Sequence, residues 1–339
     1  MIDTLAIGIA PRPNILIKVQ RAYRKGDSLG LEQALAERKI KLPPASSDEK
    51  IAWLTDALAE QHIKDCVQIA DVKYISIPLW NWDSWFQLFY RLGSAPGELI
   101  RYPNLNMFFR RPKLPDVNCP SQPIIDNAYD YCVNNALINF STCFKKPILI
   151  QLPGLGLCAY AGLNQDWICA FYDKLLERFE KAGYHYLFWD PIYAQDYKYV
   201  KKYCAYYRTF NRPLKNGFVY VGKCYSPAAI GSCLHDYNYE IIVDVSDSRQ
   251  TEFLELIASY PWRTIGLACV LPWPTNYFTE NAKRLPRVAS FVTKAFDINP
   301  RIENIIVTNA GDLEGCYVEG LNELLKNLKL VRDFSLNKE

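Results

Sequence analysis

The sequence predicts a single (β/α)8 barrel. Eight short apolar runs, rich in Ile, Val and Leu and without polar alternation, read as strands buried on both faces of a parallel sheet. Amphipathic segments separate them, and strand–helix alternation in this order favours right-handed crossovers. In the unit from Lys146 to Pro191, special residues stand only where strands end: Pro153-Gly154-Leu155-Gly156-Leu157 after one and Asp190-Pro191 after the next. Ligands of parallel α/β proteins bind at such ends.

The runs, in order, are Leu5–Ala10, Tyr74–Pro78, Ile148–Leu152, Tyr186–Asp190, Phe218–Val221, Glu240–Asp244, Thr264–Val270 and Asn304–Asn309. Eight closes a barrel of parallel strands, and 339 residues suit one barrel with insertions. An open doubly wound sheet is the alternative, but it usually carries a Gly-rich first turn, which is absent here. Helical stripes fall between the runs: Ile51, Leu54 and Leu58; Ile168, Phe171, Leu175 and Phe179; Val318, Leu321, Leu325 and Leu328.

Two connections are long. Residues 11–73 hold a basic helix (Lys18, Arg21, Arg24, Lys25), a break from Lys41 to Ser47, and a second helix from about Asp48 that Ser47 would cap. Residues 79–146 hold an aromatic cluster, a hairpin near Glu98–Arg110, a Pro-rich passage, and a helix near Ile125–Thr142. Residues 1–335 are expected to form one domain, with 79–146 as an insertion covering the barrel mouth.

Apolar residues make up 50% of the chain and charged residues 22%, enough for a large core. A net charge of +3 argues against nucleic acid or an anionic membrane as the main partner. No apolar run reaches membrane-spanning length, and Asp3, Pro11, Arg12 and Pro13 interrupt any leader-like start. Eleven cysteines without a Cys-x-x-Cys pair predict reduced thiols and a cytoplasmic protein.

The opening Ile7-Gly8-Ile9-Ala10-Pro11-Arg12-Pro13, the turn after Lys146-Pro147, the strand end Trp189-Asp190-Pro191, and Ile265-Gly266-Leu267 followed by Ile305–Leu313 stand in a telling order. From Leu5 to about Val331 the chain resembles the C-terminal catalytic barrel of cobalamin-independent methionine synthase, in the larger group that includes uroporphyrinogen decarboxylase. The resemblance implies methyl transfer to a thiol such as homocysteine, from a folate or corrinoid donor, with zinc holding the thiolate. It puts zinc ligands at Gly222, Cys224, Asp244 and Gly311, so a Cys and a carboxylate are kept while a His and a Cys are replaced by glycine. Trp273 stands where a His would assist transfer, Trp189 where an Asp would hold a substrate amine, and Ile9 where a Ser would stand.

Candidate site residues follow. Cys224 is a thiolate ligand or nucleophile, or else a small buried hydrophobe. Asp190 binds an amine or acts as a general base, or else caps the helix that follows it. Asp244 is a metal ligand with Asp247 beside it, or Asp247 caps the helix after it. Arg12 grips a carboxylate or phosphate, or is a surface charge. Asn309 and Asp312 bind polar substrate groups, or cap the last helix. Trp189 and Trp273 would line the substrate pocket.

Other residues are weaker candidates. Cys233, His235 and Cys316 are further soft-metal donors. Trp80, Trp82, Trp85, Phe86, Phe89 and Tyr90 form an aromatic wall, or core. The Lys- and Tyr-rich run from Tyr197 to Arg212 reads as an outer helix. Three functions follow: a methyltransferase with a remnant zinc site, a metal-free enzyme in which Arg12 and Asp190 do the polar work, and a barrel that binds a small molecule or a protein without catalysis.

Overall fold

The computed structural model describes residues 1–8, 10–37, 46–80, 85–92, 95–101, 108–114, 119–190, 197–222, 234, 240–245, 250–270, 278–310 and 318–336. Strand β1 (Ile2–Leu5) leads into helices α1 (Asn14–Arg24), α2 (Ser28–Glu37) and α3 (Ser47–Ala70). Helix α4 (Gln87–Arg91), the antiparallel hairpin β2 (Ala95–Arg101) and β3 (Phe108–Lys113), and helices α5 (Gln122–Cys132) and α6 (Asn135–Phe144) form the second long connection. Strand–helix alternation then begins with β4 (Leu149–Pro153), α7 (Leu155–Ala161), α8 (Gln165–Lys181), β5 (His185–Asp190) and α9 (Tyr197–Phe210). It continues through β6 (Gly217–Val221), β7 (Glu240–Asp244), α10 (Gln250–Ser259), β8 (Thr264–Val270), α11 (Phe278–Ile298), β9 (Asn304–Asn309) and α12 (Val318–Leu336).

Seven strands make one curled parallel sheet in the order β1-β9-β8-β7-β6-β5-β4. Consecutive strands are neighbours, and the first pairs with the last, Ile2 opposite Ile305. A doubly wound sheet would reverse its order at a switch point, and this order does not reverse. Strands β4, β6 and β9 are buried at every position, as a sheet covered on both faces requires. Ile168, Phe171, Leu175 and Phe179 of α8 are buried against this core, as their spacing predicted. Burying each such side chain contributes about 1.5–3 kcal/mol. A smaller core of Ala10, Ile15, Leu16, Val19, Leu31, Leu35, Leu54 and Trp80 joins α1 and α2 to the N-terminal half of α3.

The strand expected at Tyr74–Pro78 is not a regular strand. Two isolated parallel bridges stand there instead, Thr4 with Val72 and Ile75 with Ile148. The Lys73 N–H donates to Thr4 O (2.8 Å), and the Ile75 N–H donates to Pro147 O (2.9 Å). Pro147 opposite and Pro78 beyond lack an N–H, so the ladder cannot lengthen. The first strand starts earlier than predicted and stops at Leu5; beyond it the Ile7 N–H is held at 2.9 Å by a side chain, Asn309 Oδ1.

Other boundaries differ for local reasons. Ser46, not Ser47, caps α3: its Oγ accepts from Glu49 N–H while the Glu49 carboxylate accepts from Ser46 N–H, a reciprocal box. The helix expected near Ile125–Thr142 is two helices, because Asn134 accepts from Leu137 N–H at 2.8 Å and starts α6 anew. Helices α2 and α7 were not expected.

Candidate functional site

In a parallel sheet all strands end on one edge. Asp190, Asp244 and Asn309 are the last residues of β5, β7 and β9 and so share that edge. Arg12 follows β1 on the same side, where Ala10 N–H donates to Pro78 O at 3.0 Å. Cys224, Trp273 and Asp312 lie outside the described residues, as do Trp82, Cys233, His235, Asp247 and Cys316.

Side chains alternate along β5, and this separates Trp189 from Asp190. Trp189 is fully buried in a three-ring stack. Its centroid lies 4.2 Å from Tyr220 on β6, its register partner, and 5.0 Å from Trp85, with interplanar angles of 14° and 17°. Trp85 belongs to the second long connection, so that segment packs onto the strand ends. The aromatic wall is mostly core: Phe86 packs on Phe109 at 4.9 Å, and Phe89 on Phe171 at 5.7 Å.

Asp190 points the other way, toward α7 and α9. Its Oδ1 accepts from Leu157 N–H (2.6 Å), and its Oδ2 from Gly156 N–H (3.2 Å) and the Tyr207 hydroxyl (2.6 Å). Burial raises its pKa to about 6, although these three donors pull it down. The carboxylate therefore anchors the first turn of α7, a helix that precedes β5, and not the helix after Asp190 that the capping alternative had in view. The Gly-rich turn serves this contact: a Cβ at Gly156 would lie 3.0 Å from Asp190 Cγ and closer still to the Tyr203 ring.

Asn309 is likewise built into the sheet. Its Oδ1 accepts from Ile7 N–H (2.9 Å) and its Nδ2 donates to Ile7 O (2.8 Å), so the side chain continues the β1–β9 ladder. Across the strand ends, Gln151 Oε1 accepts from Gly8 N–H (2.7 Å), and its Nε2 donates to Ser76 Oγ (3.2 Å). Gly8 has φ +101°, which favours glycine. Gln151 went unnoticed in the sequence, although an amide inside the apolar run Ile148–Leu152 is a legible signal of a buried polar tie.

Asp244 is buried beside Cys269, whose thiol pKa is raised by burial and then by this carboxylate. Gly222, at an implied zinc-ligand position, offers no side-chain donor; its N–H donates to Asp190 O at 2.9 Å. Among the described residues no three His, Cys, Asp or Glu side chains are grouped to hold a metal. The described donors do not make a zinc site.

Arg12 faces a different space. It lines a pocket of about 250 Å³ with Gln20, Tyr23, Arg24, Asp48, Ile51, Trp80, Gln87 and Arg91. The walls come from α1, the first turns of α3, α4 and the exits after β1 and Ile75. Tyr23 donates to Asp48, and this bond raises the phenol pKa. Arg24 and Arg91 were not named as site residues, and Trp80 only as part of the aromatic wall; the folded chain brings all three to the pocket of Arg12.

No family model matches the sequence, and no curated protein is similar to it. Among solved structures, the chain is similar to a B12-independent methionine synthase from Shewanella sp. W3-18-1, solved in complex with selenomethionine. The two share 14% identity over 86% of this chain and 90% of that one, with a TM-score of 0.63. The fold is methionine-synthase-like. At this identity the likeness speaks for the TIM-barrel-like architecture alone. No helix among the described residues is long and apolar enough to cross a membrane.

Proposed function

We propose that this chain is a methionine-synthase-like (β/α)8 barrel protein that binds a small anionic molecule without zinc, with Arg12 as the anchor. One observation carries this reading: Arg12 lines the pocket of about 250 Å³, just past the C-terminal end of β1. Ligands of parallel barrels bind on that side. The bridges Thr4–Val72 and Ile75–Ile148 support residues 72–75 as the eighth stave that closes the barrel. Trp85 stacked on Trp189 supports the 79–146 segment as a cover of the mouth within a single domain. The stack fills the position where the resemblance calls for a substrate-holding Asp, and Asp190 is committed to α7. Of the three functions the sequence raised, those without zinc therefore gain support. Cys66, Cys132, Cys158, Cys169 and Cys269 are buried free thiols, which supports a reducing cytoplasm.

Methyl transfer to a thiol is the second reading, favoured by the methionine synthase likeness. Cys224 and Asp244 would be its metal residues, Trp273 and Asp312 would line its pocket, and a folate or corrinoid would be its donor. Calorimetry with homocysteine, methionine, folates, corrinoids and small organic anions separates the two. The first reading expects anion binding that Arg12→Ala abolishes. Binding of thiols and folates that Arg12→Ala leaves unchanged would overturn it.

A further inference from the structure

Resting on the reading that Arg12 anchors a ligand, we infer that Trp80 and Arg91 set the specificity of its pocket, by donating to the oxygens of a carboxylate or phosphate group on a small molecule. A backbone contact brings the first of them to the anchor. Ala10 N–H donates to Pro78 O at 3.0 Å, and Arg12 and Trp80 each follow that bond by two residues. Both line the pocket of about 250 Å³. Trp80 is 4% exposed, yet its indole N–H has no acceptor among the described residues. His62 meets it edge-on, with ring centroids 5.9 Å apart, but the imidazole Nδ1 is also without a partner, so this contact is not a hydrogen bond between them. Buried donors are almost always satisfied, by protein, water or ligand. An anion oxygen supplies what this N–H lacks.

Arg91 reaches the same pocket from the second long connection. Helix α4 is fixed in place: Leu88 and Phe89 are fully buried, and the Tyr90 hydroxyl donates to Arg110 O. Gln87 and Arg91, one helical turn apart, both line the pocket. The Arg91 guanidinium lies over the Tyr131 ring, 5.7 Å from its centroid, and forms no ion pair among the described residues. A ring contact uses the charge of the group and not its N–H donors. Those donors form a planar fork that matches carboxylate and phosphate oxygens. A donor carried on a helix held this firmly needs little ordering when a ligand binds. The volume of about 250 Å³ lies below the usual range for a drug-sized ligand, so the pocket takes a small compound or the acidic end of a larger one.

The test is calorimetry on the whole chain with acetate and methionine as carboxylates and inorganic phosphate and glycerol phosphate as phosphates. Wild type is compared with Arg12→Ala, Trp80→Phe, Arg91→Ala and Arg91→Lys, with circular dichroism to confirm folding. Trp80→Phe removes the N–H and keeps a ring; Arg91→Lys keeps the charge and removes the fork. Trp80→Phe and Arg91→Ala are each expected to weaken the tightest-binding probe by about tenfold or more, as the loss of a hydrogen bond to a charged group does. Arg91→Lys should recover only part of that loss. With these losses in place, phosphates ahead of carboxylates identify a phosphate ligand, and the reverse a carboxylate. Binding that Arg12→Ala abolishes while Trp80→Phe and Arg91→Ala leave it unchanged overturns the role of these two residues and keeps the Arg12 anchor. Binding that these two variants weaken while Arg12→Ala leaves it unchanged keeps their role and overturns the anchor. Absence of binding by all four probes overturns both.

Discussion

Asp190 sits so close to Gly154 that a Cβ added there would lie 2.6 Å from Oδ2 of the carboxylate and nearer still to Oδ1. The turn after β4 and the end of β5 are thus fitted to each other without spare volume. Gly154→Ala is expected to push the carboxylate off the N–H groups of Gly156 and Leu157. Overpacking and the loss of charged hydrogen bonds together cost roughly 2–4 kcal/mol. Urea unfolding measures this; a change within about 0.5 kcal/mol would show that the turn can relax.

Asp190 also predicts a pH dependence. Its pKa rises from 3.8 to about 6 on folding, because burial outweighs its three donors. The folded state then holds the proton more tightly than the unfolded state. The stabilising contribution is full below about pH 4 and is lost as pH rises through about 6, by roughly 3 kcal/mol. Asp190→Asn does not titrate, so its deficit relative to wild type should shrink between pH 4 and pH 7. Parallel melting curves over that range check it, and a deficit that grows with pH contradicts the sign.

How much of this was legible follows from particular residues. Glu240–Asp244, Thr264–Val270 and Asn304–Asn309 were read to the residue, because strands buried on both faces are uninterrupted apolar runs. The strand expected after α3 is instead two isolated bridges, Thr4 with Val72 and Ile75 with Ile148, and bridges flanked by prolines leave almost no pattern. Gly154 and Gly156 look like turn residues and so hide helix α7; their real work is to let Asp190 approach. Strand ends pointed to the right edge of the sheet for Asp190 and Asn309. The sequence could not say that one step of alternation turns Trp189 toward a ring stack and Asp190 toward α7. Nor could it place Arg91 in the same pocket lining as Arg12.

Asn309 offers a clean separation of structure from binding. Its side chain bonds both backbone groups of Ile7, which is fully buried. Asn309→Leu leaves a buried N–H and a buried C=O unsatisfied, at about 1–3 kcal/mol each. The expected outcome is a loss of roughly 2–4 kcal/mol in unfolding free energy, with anion affinity at the Arg12 pocket unchanged in the folded fraction. A variant of normal stability and lost affinity would instead make Asn309 a ligand-binding residue.

The Trp189 stack predicts an asymmetric response to substitution. Trp189→Ala removes a fully buried indole from between two rings and leaves a cavity, at a cost of about 3–5 kcal/mol. Trp189→Phe keeps an aromatic face against Tyr220 and should lose much less. Restoring the acidic residue that the resemblance places there, Trp189→Asp, should be worse than alanine, because it buries a charge between Trp85 and Tyr220.

Zinc content follows from the donor set. Of the four implied positions, Gly222 and Gly311 bring no side-chain donor, leaving Cys224 and Asp244. A catalytic zinc site takes three protein ligands and an open position. Two donors hold zinc weakly, so purified protein is expected to carry well under one equivalent by elemental analysis. Chelation with EDTA should leave the melting temperature unchanged, because a metal that binds only the folded state would raise it. One equivalent of zinc that survives dialysis, and is lost in Cys224→Ala, would restore the methyl-transfer reading and direct attention to donors in the segments that follow β6 and β9.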